Sequence, residues 1–451
     1  MAAGKSTRMK SSRPKAAHEI CGRAIGRHIV DACFKAGIGR VVVVVGHEPE
    51  QVKQAIGEDV IYVTQHQQLG TGHAVMSAKD AFHGFAGSLA VLPADTPLIR
   101  AESIRVMMES LETTGSAATL LTAVLDEAGS YGRIVRGGDG MVQEIREAKD
   151  ANEDILAIRE INTSIYAFNS SLLFPALDNI TSENQQKEYY LTDVIGVFVK
   201  EGRQVTASVA EDWRECVGIN TRVELAEATA LMRQRILSGH MLAGVTILDP
   251  ASVYIDSGVT IGQDTVIGPG TLLEGNTRIG ANCEIGPYTR IKDCEISDCV
   301  KIEFSHLDQA RVLSGVKMGP YARLRPGSVI EAGCKLGNFV EVKNSTLHEK
   351  VALGHLSYIG DAEVGSGTNI GAGAITCNYD GKTKHRTTIG EGAFIGSDTI
   401  LNAPVTVGDG AFTASGSVVS KDVPPDALAI SRPQLVIREG WAKRRREAAK
   451  E

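Results

Sequence analysis

The chain has 451 residues, a formal net charge of −7, and hydrophobic and aromatic fractions of 43% and 5%. A chain of this length exceeds what one hydrophobic core normally serves, so we expect two or more domains. The negative net charge argues against nucleic-acid binding, and the absence of an apolar run of about 18 residues predicts no membrane span.

The chain opens with MAAGKSTRMKSSRPK, a turn of small residues accompanied by the cations Lys5, Arg8 and Lys15. Small residues let backbone N–H groups approach phosphates closely, and the cations offset the charge of a triphosphate. The spacing differs from the P-loop pattern GxxxxGK[ST]. The stretch therefore predicts a phosphate-binding loop, with an ordinary surface turn as the alternative.

Up to about residue 190, short apolar runs alternate with stretches of helical periodicity. RVVVVVGH, SLAVLPADTPL and TLLTAVL predict buried strands, and IGRHIVDACFKAG predicts a helix. This alternation is typical of an α/β domain, Rossmann-like, with a mixed but mainly parallel sheet. We assign residues 1–220 to it.

Polar residues follow several of the predicted strands, at the sheet edge where α/β folds bind ligands. Polar loop residues suit a nucleotide base, and a strand-end carboxylate suits Mg²⁺ held against phosphates. The candidates are Gln65, then Gly70 and Thr71 of the following QLGTGHA, Asp95 in LPADTPL, Asn162 in EINTSI and Asn220 in GINTR.

Residues 221–244 are mostly strong helix formers and predict a helix that links two domains. After Pro250 an aliphatic residue recurs at every sixth position, with slips of one residue and interruptions. A sustained period of six is typical of a parallel β-helix, so we assign residues 245–451 to one. The aliphatic positions are Ile255, Ile261, Ile267, Leu273, Ile279, Ile285, Ile291, Met318, Leu324, Ile330, Leu336, Val342, Leu347, Leu353, Ile359, Val364, Ile370, Ile389, Ile395, Leu401 and Val407.

The repeat is interrupted at residues 376–388, TCNYDGKTKHRTT. An insertion that leaves a solenoid without ending it predicts a functional loop, with a tolerated surface insertion as the alternative. The final segment, REGWAKRRREAAKE, is basic and predicts a helix with at most a weak electrostatic role.

The second half also carries residues suited to acyl transfer. Transfer from a thioester to an amine needs a base for the ammonium proton, and His355 in GHLSYIGD suits that role. Arg325, Lys343 and Lys384 are cations suited to a sugar phosphate. A structural histidine on a solenoid is the alternative for His355.

The eight cysteines form no CxxC pair and predict reduced thiols in a cytoplasmic protein without a metal cluster. They are Cys21, Cys33, Cys216, Cys283, Cys294, Cys299, Cys334 and Cys377.

The ordered motifs AAGKSTRM, RPK, QLGTGHA, PADTPL, YGR, EAKDA, EINTS and GIN resemble those of sugar-nucleotide nucleotidyltransferases. With the hexapeptide half, they are similar over nearly the whole chain to bacterial bifunctional N-acetylglucosamine-1-phosphate uridyltransferases and glucosamine-1-phosphate acetyltransferases. The resemblance implies acetyl transfer from acetyl-CoA to glucosamine-1-phosphate, then uridylyl transfer from UTP with release of pyrophosphate. The product, UDP-N-acetylglucosamine, would feed peptidoglycan and lipopolysaccharide precursors. A left-handed β-helix and a homotrimer formed through it are also implied.

For the first half, the resemblance makes Arg8 and Lys15 catalytic cations and gives Mg²⁺ to Asp95 and Asn220. UTP and N-acetylglucosamine-1-phosphate would be bound by Ala2, Ala3, Gly4, Lys15, Gln65, Gly70, Thr71, Gly132, Glu147, Asn162 and Asn220.

For the second half, the resemblance makes His355 the general base, oriented by Glu341. Glucosamine-1-phosphate would be bound by Arg325, Lys343, Tyr358, Asn369 and Lys384. Acetyl-CoA would contact Ala372, Asn378, Tyr379, Ser397, Ser415 and Arg432.

The family has a hydrophobic strand before the phosphate loop, and Met1 stands where the last Leu of that strand would be. We therefore expect the first strand of the sheet to be missing, the loop to lack its anchor, and uridyltransferase activity to be weakened. Adding about six apolar residues should then raise it. Ser6 also departs from the glycine usual in the family's loop.

Three alternative functions are compatible with parts of the sequence. A related nucleotidyltransferase would use the β-helix for regulation only, although His355, Lys343 and the NYDGK stretch argue against it. A non-enzymatic protein would combine a trimerisation scaffold with a sugar-binding module. A hexapeptide carbonic anhydrase would bind zinc through histidines such as His306, His348, His355 and His385.

Overall fold

A computed structural model describes residues 1–4, 7–184 and 186–448, without the side chain of Thr7. Lys5 and Ser6 of the phosphate-loop prediction lie outside the described residues. The chain divides into two compact units, Met1–Arg233 and Gln234–Glu451. The division falls inside one long helix, in the region where the sequence predicts a linking helix. Within the described residues, none of the helices combines the length and the apolar character needed to cross a membrane.

The first unit alternates strands and helices, as its apolar pattern predicts. The strands are β1 (Glu19–Ile20), β2 (Arg23–Ala24), β3 (Val42–Val45), β4 (Ile61–Thr64), β5 (Ser88–Val91), β6 (Ala118–Val124), β7 (Arg133–Arg136), β8 (Val142–Arg146), β9 (Glu160–Asn169) and β10 (Val205–Val209). The α-helices are α1 (Ile25–Lys35), α2 (Pro49–Ile56), α3 (Thr71–Ser77), α4 (Ala101–Thr114), α5 (Glu153–Leu156), α6 (Ser170–Leu177), α7 (Thr192–Lys200) and α8 (Arg222–Leu242). Short 3₁₀ helices cover Thr7–Met9, Lys15–Ala17, Lys79–Phe82, Ala148–Asp150 and Trp213–Cys216.

The larger sheet of this unit has the order β10-β6-β9-β7-β8, with β5 also paired to β9. Strand β9 runs antiparallel to β5, β6 and β7, whereas β10 is parallel to β6. Strands β3 and β4 form a separate parallel pair. The predicted mixed α/β architecture is confirmed, and the antiparallel pairs of the larger sheet are those of β9 with β5, β6 and β7 and that of β7 with β8.

The first residues of the chain lie between β3 and β5. The Ala2 N–H donates to the Val44 carbonyl at 2.7 Å, and the Met1 amino group donates to the Leu92 carbonyl at 2.8 Å. The Ala94 N–H donates to the Met1 carbonyl at 2.9 Å. These bonds hold the start of the predicted phosphate loop beside the carboxyl ends of both strands, so the expectation that the loop lacks an anchor is wrong.

Below these residues, an apolar cavity of about 630 Å³ separates β3 from β5. Its walls include Val42 and Val43 of β3, Leu89 and Val91 of β5, and Ile29 of α1. Each of the two strands has a strand partner on its other side. The cavity therefore lies between the two sheets and interrupts the apolar interior of this unit.

The second unit is a parallel β-helix with three faces. Face A contains Thr246–Ile247, Val266–Ile267, Glu284–Ile285, Lys301–Ile302, Lys317–Met318, Lys335–Asn338, Ala352–His355, Asn369–Ile370, Phe394–Ile395, Phe412–Thr413 and Leu428–Ala429. Face B contains Tyr254–Ile255, Leu272–Glu274, Arg290–Lys292, His306–Asp308, Arg323–Leu324, Glu341–Lys343, Tyr358–Gly360, Ile375–Cys377, Ile400–Asn402 and Val418–Val419. Face C contains Thr260–Ile261, Arg278–Ile279, Glu295–Ile296, Arg311–Val312, Val329–Ile330, Thr346–Leu347, Ala362–Val364, Thr387–Ile389 and Val405–Val407. The final helix, α9, covers Trp441–Ala448.

The β-helix core consists of the aliphatic residues of the repeat, stacked in one continuous column. Ile267, Leu273 and Leu353 are fully buried there, and Ile261 packs against the column partly buried. The parallel β-helix predicted from the period of six is therefore confirmed, and its stacked parallel sheets fit the left-handed form that the resemblance implies. All eight cysteines are free thiols.

Candidate active sites

A pocket of about 600 Å³ in the first unit collects residues from distant parts of the chain. It lies at the carboxyl ends of the parallel strands, where an α/β sheet binds ligands. Its lining includes the predicted residues Ala2, Ala3, Gly4, Arg8, Lys15, Gln65, Gly70, Thr71, Asp95 and Asn220.

A cation connects the two predicted metal ligands in this pocket. The Lys15 Nζ donates to Asp95 Oδ2 at 2.7 Å and to Asn220 Oδ1 at 2.8 Å. The Arg8 guanidinium donates to the same Asn220 oxygen at 2.8 Å. Two oxygens that converge on one positive charge form a donor set that fits Mg²⁺, because this ion prefers oxygen ligands and keeps several positions for water and phosphates.

The position of Asn220 is set by the start of α8. The Glu224 carboxylate accepts hydrogen bonds from the N–H groups of Asn220 and Thr221, at 2.5 and 2.8 Å. The Thr221 hydroxyl accepts from the Glu224 N–H at 3.2 Å. This reciprocal pair is a capping box, which satisfies N–H groups that the helix itself cannot bond. The cap therefore fixes the residue that faces Lys15.

The loop that contains Gln65, Gly70 and Thr71 is held by hydrogen bonds and by close backbone contact. The Gln65 amide donates to the Gly70 carbonyl at 3.2 Å, and the Thr71 hydroxyl accepts from the Leu191 N–H at 3.0 Å. Gly70 has φ = +103°, and a Cβ there would lie 2.5 Å from the Tyr189 carbonyl oxygen. Only glycine fits this position without displacing the backbone.

Gly132, Glu147 and Asn162 form a second group, on β7, β8 and β9. The Asn162 N–H donates to the Gly132 carbonyl at 2.8 Å, and Glu147 directly follows β8. A register shift between β6 and β9 inserts two residues after Asn162. The Asn162 side-chain oxygen accepts from the hydroxyl of Tyr166 at 3.1 Å, and burial raises the pKa of Tyr166 to about 12. The bulge thus fixes a buried amide, as β-bulges beside sites often do.

Two polar residues of the pocket were missed by the sequence reasoning. Gln68 and Glu188 line the pocket beside Gly70. Glu188 lies more than a hundred residues from Gly70 in the chain, outside any motif that we singled out. Its place becomes visible only because the Tyr189 N–H donates to the Leu69 carbonyl at 2.8 Å.

The second site lies on face B of the β-helix. Arg325, Lys343 and Tyr358 belong to three successive coils, and Arg325 and Lys343 occupy equivalent positions on face B. Position 360 continues this row above Lys343, and a Cβ on Gly360 would lie 2.3 Å from the Tyr358 hydroxyl. The glycine therefore leaves room for the phenol beside the two cations.

Lys384 reaches this row from the inserted loop. The pKa of Lys343 is lowered, chiefly by its contact with the Lys384 ammonium and then by burial. Arg325 donates to Glu341 at 3.0 Å. Three positively charged groups lie together here, two ammonium groups and a guanidinium. This arrangement suits an anion with several charges, such as a phosphate.

His355 ends a face A strand, at the corner between faces A and B, and is exposed. Its Nδ1 contacts the Asn338 side-chain oxygen at 2.8 Å, one coil away. We expected Glu341 to orient His355, but the partner of Glu341 is Arg325 and the partner of His355 is Asn338. In this coil, the face B strand begins at Glu341, beyond the corner. The carboxylate of Glu341 is therefore directed into the row of cations.

Other predicted residues follow the same corner upward. Ala372, Ser397 and Ser415 each stand two residues after a successive face A strand, and Arg432 donates to the Ser415 carbonyl at 3.4 Å. Successive coils are about 4.8 Å apart, so these positions form a line on the order of 15 Å long above His355. Asn369 lies apart from the cations, on face A and opposite Ala352.

The insertion forms a small hairpin. The His385 N–H donates to the Asn378 carbonyl at 2.8 Å, and Tyr379 pairs with Lys384 in an antiparallel bridge. At its turn, the Asp380 carboxylate accepts from Thr383 and His385. Asn378 is buried at the base, whereas Tyr379 is 61% exposed.

The four histidines considered for zinc do not converge on one point. His348 contacts Glu331 and Glu363 on face C, and His385 contacts Asp380 in the hairpin. Across the residues that the structure describes, no group of three or more His, Cys, Asp or Glu side chains is arranged to hold a metal ion.

Comparison with known proteins gives matches over both units. Residues 1–186 match the MobA-like NTP transferase domain family, and residues 258–293 and 386–421 match the bacterial transferase hexapeptide family. The chain is 46% identical to the bifunctional protein GlmU of Heliobacterium modesticaldum, over 100% of the chain and 98% of the relative. It is 48% identical to GlmU of Geobacillus thermodenitrificans, over 99% and 97%, and 47% identical to GlmU of Streptomyces coelicolor, over 99% and 94%.

The chain belongs to the GlmU family. It is a bifunctional transferase of UDP-N-acetylglucosamine synthesis, with a nucleotidyltransferase half and a hexapeptide acetyltransferase half. Membership of the GlmU family separates this chain from nucleotidyltransferases that use a β-helix only for regulation.

Proposed function

We propose that the predicted residues of the two pockets carry the two reactions, the first pocket transferring uridylyl groups and face B transferring acetyl groups. The observation that carries this proposal is the convergence of Lys15, Asp95 and Asn220 at the strand ends, from positions up to 205 residues apart. In the second unit, the alignment of Arg325, Lys343 and Tyr358 on successive coils supports the assignment.

In uridylyl transfer, a phosphate oxygen of N-acetylglucosamine-1-phosphate attacks the α-phosphorus of UTP. The bond from that phosphorus to the bridging oxygen breaks, and pyrophosphate leaves with the electron pair. Such transfers depend on positioning and on neutralising charge. Arg8 and Lys15 supply positive charge, and Ala2, Ala3 and Gly4 line the pocket with small side chains that let a phosphate approach the chain closely.

Asp95 and Asn220 are the residues that would hold Mg²⁺. The bound ion supplies charge neutralisation for the phosphate oxygens. In the structure the Lys15 ammonium lies between these two oxygens, so Lys15 moves to the phosphates when the ion and the nucleotide bind. Gln65, Gly70 and Thr71 face the base, and Gly132, Glu147 and Asn162 face the sugar.

In acetyl transfer, the amine of glucosamine-1-phosphate attacks the thioester carbonyl carbon of acetyl-CoA. The carbon–sulfur bond then breaks, and the proton lost by the amine leaves through a base. The Nδ1–H of His355 donates to Asn338, so Nε2 keeps its lone pair and accepts that proton. Arg325, Lys343 and Lys384 bind the sugar phosphate, with Tyr358 beside them.

Acetyl-CoA, in this proposal, follows the line of corner residues above His355. Ala372, Ser397, Ser415 and Arg432 occupy that line, and Asn378 and Tyr379, in the hairpin that follows a face B strand, would contact the acetyl end of the donor. An extended donor suits an extended row of equivalent corners. The exposed backbone of these corners offers hydrogen-bond partners at a regular spacing.

We also propose a homotrimer in the cytoplasm. The corner below His355 carries Tyr288, Phe304, Tyr321 and Phe339 in one row, with ring centroids 5.4 to 5.7 Å apart. Tyr288, Tyr321 and Phe339 are more than half exposed, and an exposed aromatic row of this kind is typical of a protein interface. The eight free thiols and the nucleotide substrates support the cytoplasmic location.

One reaction mixture tests the assignment. The purified chain is given glucosamine-1-phosphate, acetyl-CoA, UTP and Mg²⁺, and the products are followed by mass spectrometry. We expect UDP-N-acetylglucosamine from the unchanged chain, and a stop at N-acetylglucosamine-1-phosphate from Asp95→Ala. His355→Ala should form product only when N-acetylglucosamine-1-phosphate is supplied. Loss of both reactions in either variant would contradict the separation of the sites.

A further inference from the structure

Asp361 is a charged residue beside the acetyl-transfer site for which neither the motifs nor the reaction scheme gives a role. It stands at the corner between faces B and C, directly after the strand Tyr358–Gly360. Its φ of +50° is in the left-handed region, which aspartate tolerates because its short polar side chain bonds locally. Its N–H donates to the Lys343 carbonyl at 3.0 Å, and its carbonyl accepts from the Thr387 N–H at 3.2 Å.

The Asp361 carboxylate joins three coils. One oxygen accepts from the Asn344 amide at 2.6 Å, and the other accepts from the Asn378 amide. Burial acts to raise the pKa of Asp361, but the two amide donors and the charges of Lys343 and Lys384 outweigh it and lower that pKa. The carboxylate therefore stays ionised and retains both charge-assisted bonds.

These contacts hold both ends of the inserted hairpin. Asn378 begins the hairpin and is held by the side chain of Asp361, and Thr387 follows the hairpin and is held by its backbone. Between these points the hairpin carries Tyr379 and Lys384. Because the hairpin is held at its base, its direction depends on the contacts made there.

The same carboxylate also lies near the two ammonium groups of the phosphate row. The contact with Lys384 lowers the pKa of Lys343, whereas the Asp361 charge acts to raise it. A negative charge at this corner allows two like charges to share one pocket in their protonated forms.

We propose that Asp361 is a positioning residue for acetyl transfer: its carboxylate fixes the direction of the 376–388 hairpin and keeps Lys343 and Lys384 together as a phosphate-binding pair. Asp361 touches neither substrate in this scheme and acts through Asn378 and the two lysines. The inference rests on the proposed function of face B and deepens it.

The test compares Asp361→Asn with a matched control, Asp293→Asn. Asp293 occupies the same corner four coils below, with φ = +49°, and its carboxylate accepts from the Asn276 N–H at 2.9 Å. Both variants lose one corner charge at constant size. Uridylyl transfer by each variant shows that the first unit is folded, and thermal denaturation followed by circular dichroism reports whether the β-helix is folded.

We expect kcat for acetyl transfer to fall about tenfold in Asp361→Asn and to stay unchanged in Asp293→Asn. The KM for glucosamine-1-phosphate should begin to rise at a lower pH than in the unchanged chain, because Lys343 loses its proton more readily without the Asp361 charge. If Asp361 had only a structural role, its replacement would leave the pH dependence of this KM unchanged.

A second variant, Asn344→Gly, removes the other donor to Asp361 at a corner where glycine accepts the left-handed backbone. We expect a smaller change in the same direction. Equal kcat and equal pH profiles in Asp361→Asn and Asp293→Asn would overturn the inference. Failure of the proposed function is a different result, because the unchanged chain would then form no N-acetylglucosamine-1-phosphate.

Discussion

At the scale of single residues, the hydrogen bond between His355 and Asn338 decides which nitrogen of the histidine is available to the substrate. Since Nδ1 is bonded to the Asn338 oxygen at 2.8 Å, only Nε2 faces an incoming amine with a lone pair. The histidine is exposed on the β-helix, so this one contact is its main orienting bond among the described residues.

Replacing Asn338 by alanine should therefore lower kcat for acetyl transfer by about tenfold, the usual value of one hydrogen bond of about 1 to 1.5 kcal/mol. The KM for acetyl-CoA should change little, because Asn338 lies away from the line of corner residues. Steady-state kinetics with both substrates varied would measure this. A control is Asn402→Ala, at the end of a face B strand, whereas Asn338 ends a face A strand. An unchanged kcat in Asn338→Ala would show that His355 is oriented by another group.

His348 predicts a pH-dependent stability of the β-helix. Its two ring nitrogens contact Glu331 and Glu363 at 3.1 and 3.2 Å, and these carboxylates raise its pKa, Glu363 most. Protonated His348 therefore stabilises the fold at pH values below its ordinary pKa, and this contribution is lost as the pH rises through the raised value. Arg386 also pairs with Glu363 and remains charged throughout.

We expect His348→Gln to lower the free energy of unfolding more at pH 6 than at pH 9, measured by chemical denaturation. His306 supplies a control of opposite sign, because burial and the neighbouring Arg290 and Arg323 lower its pKa. Protonation of His306 therefore costs stability at low pH, and His306→Gln should relieve that cost. The same trend in both variants would contradict this account.

At the scale of elements, the start of α8 links helix stability to the first active site. Thr221 and Glu224 cap the helix, and Glu224 also bonds the N–H of Asn220, a proposed metal ligand. A change in the cap is therefore expected to change the position of Asn220 in the pocket. The helix begins directly after the site residue, so no flexible segment separates them.

Thr221→Ala should destabilise the first unit by about 1 kcal/mol, as lost N-caps usually do, and should reduce uridylyl transfer while leaving acetyl transfer unchanged. Thr229→Ala is the control, because the Thr229 hydroxyl bonds only the Leu225 carbonyl within the same helix. Both activities are measured on one preparation of each variant. Equal uridylyl transfer in the two variants would mean that the cap does not position Asn220.

The elements differ in how far the sequence predicts them. The period of six predicts the β-helix because each aliphatic residue, such as Leu273, points inward once per strand. The partner of His355 was not predictable, because Asn338 has no motif of its own and reaches the histidine only through the coil register. Long-range contacts such as Glu188 beside Gly70 likewise depend on packing that the local pattern does not encode.

At the scale of the whole molecule, the two units differ in how their interiors are filled. The β-helix core is one column of interlocking aliphatic side chains, and each coil meets only its neighbours. The first unit instead contains the apolar cavity of about 630 Å³ between β3 and β5. These interiors respond differently to a change of volume.

Hydrostatic pressure favours whichever state has the smaller total volume, and it drives water into loosely packed apolar space such as this cavity, which is partly open to solvent. The first unit should therefore open at lower pressure than the β-helix, starting with the strands and helices that line the cavity. Hydrogen exchange under pressure, read peptide by peptide, would show protection lost in β3 and β5 first. Simultaneous loss of protection in both units would contradict this prediction, and so would earlier loss of protection in the β-helix. Because of this cavity, we expect pressure, rather than temperature, to distinguish the stability of the uridylyl-transferring half from that of the acetyl-transferring half.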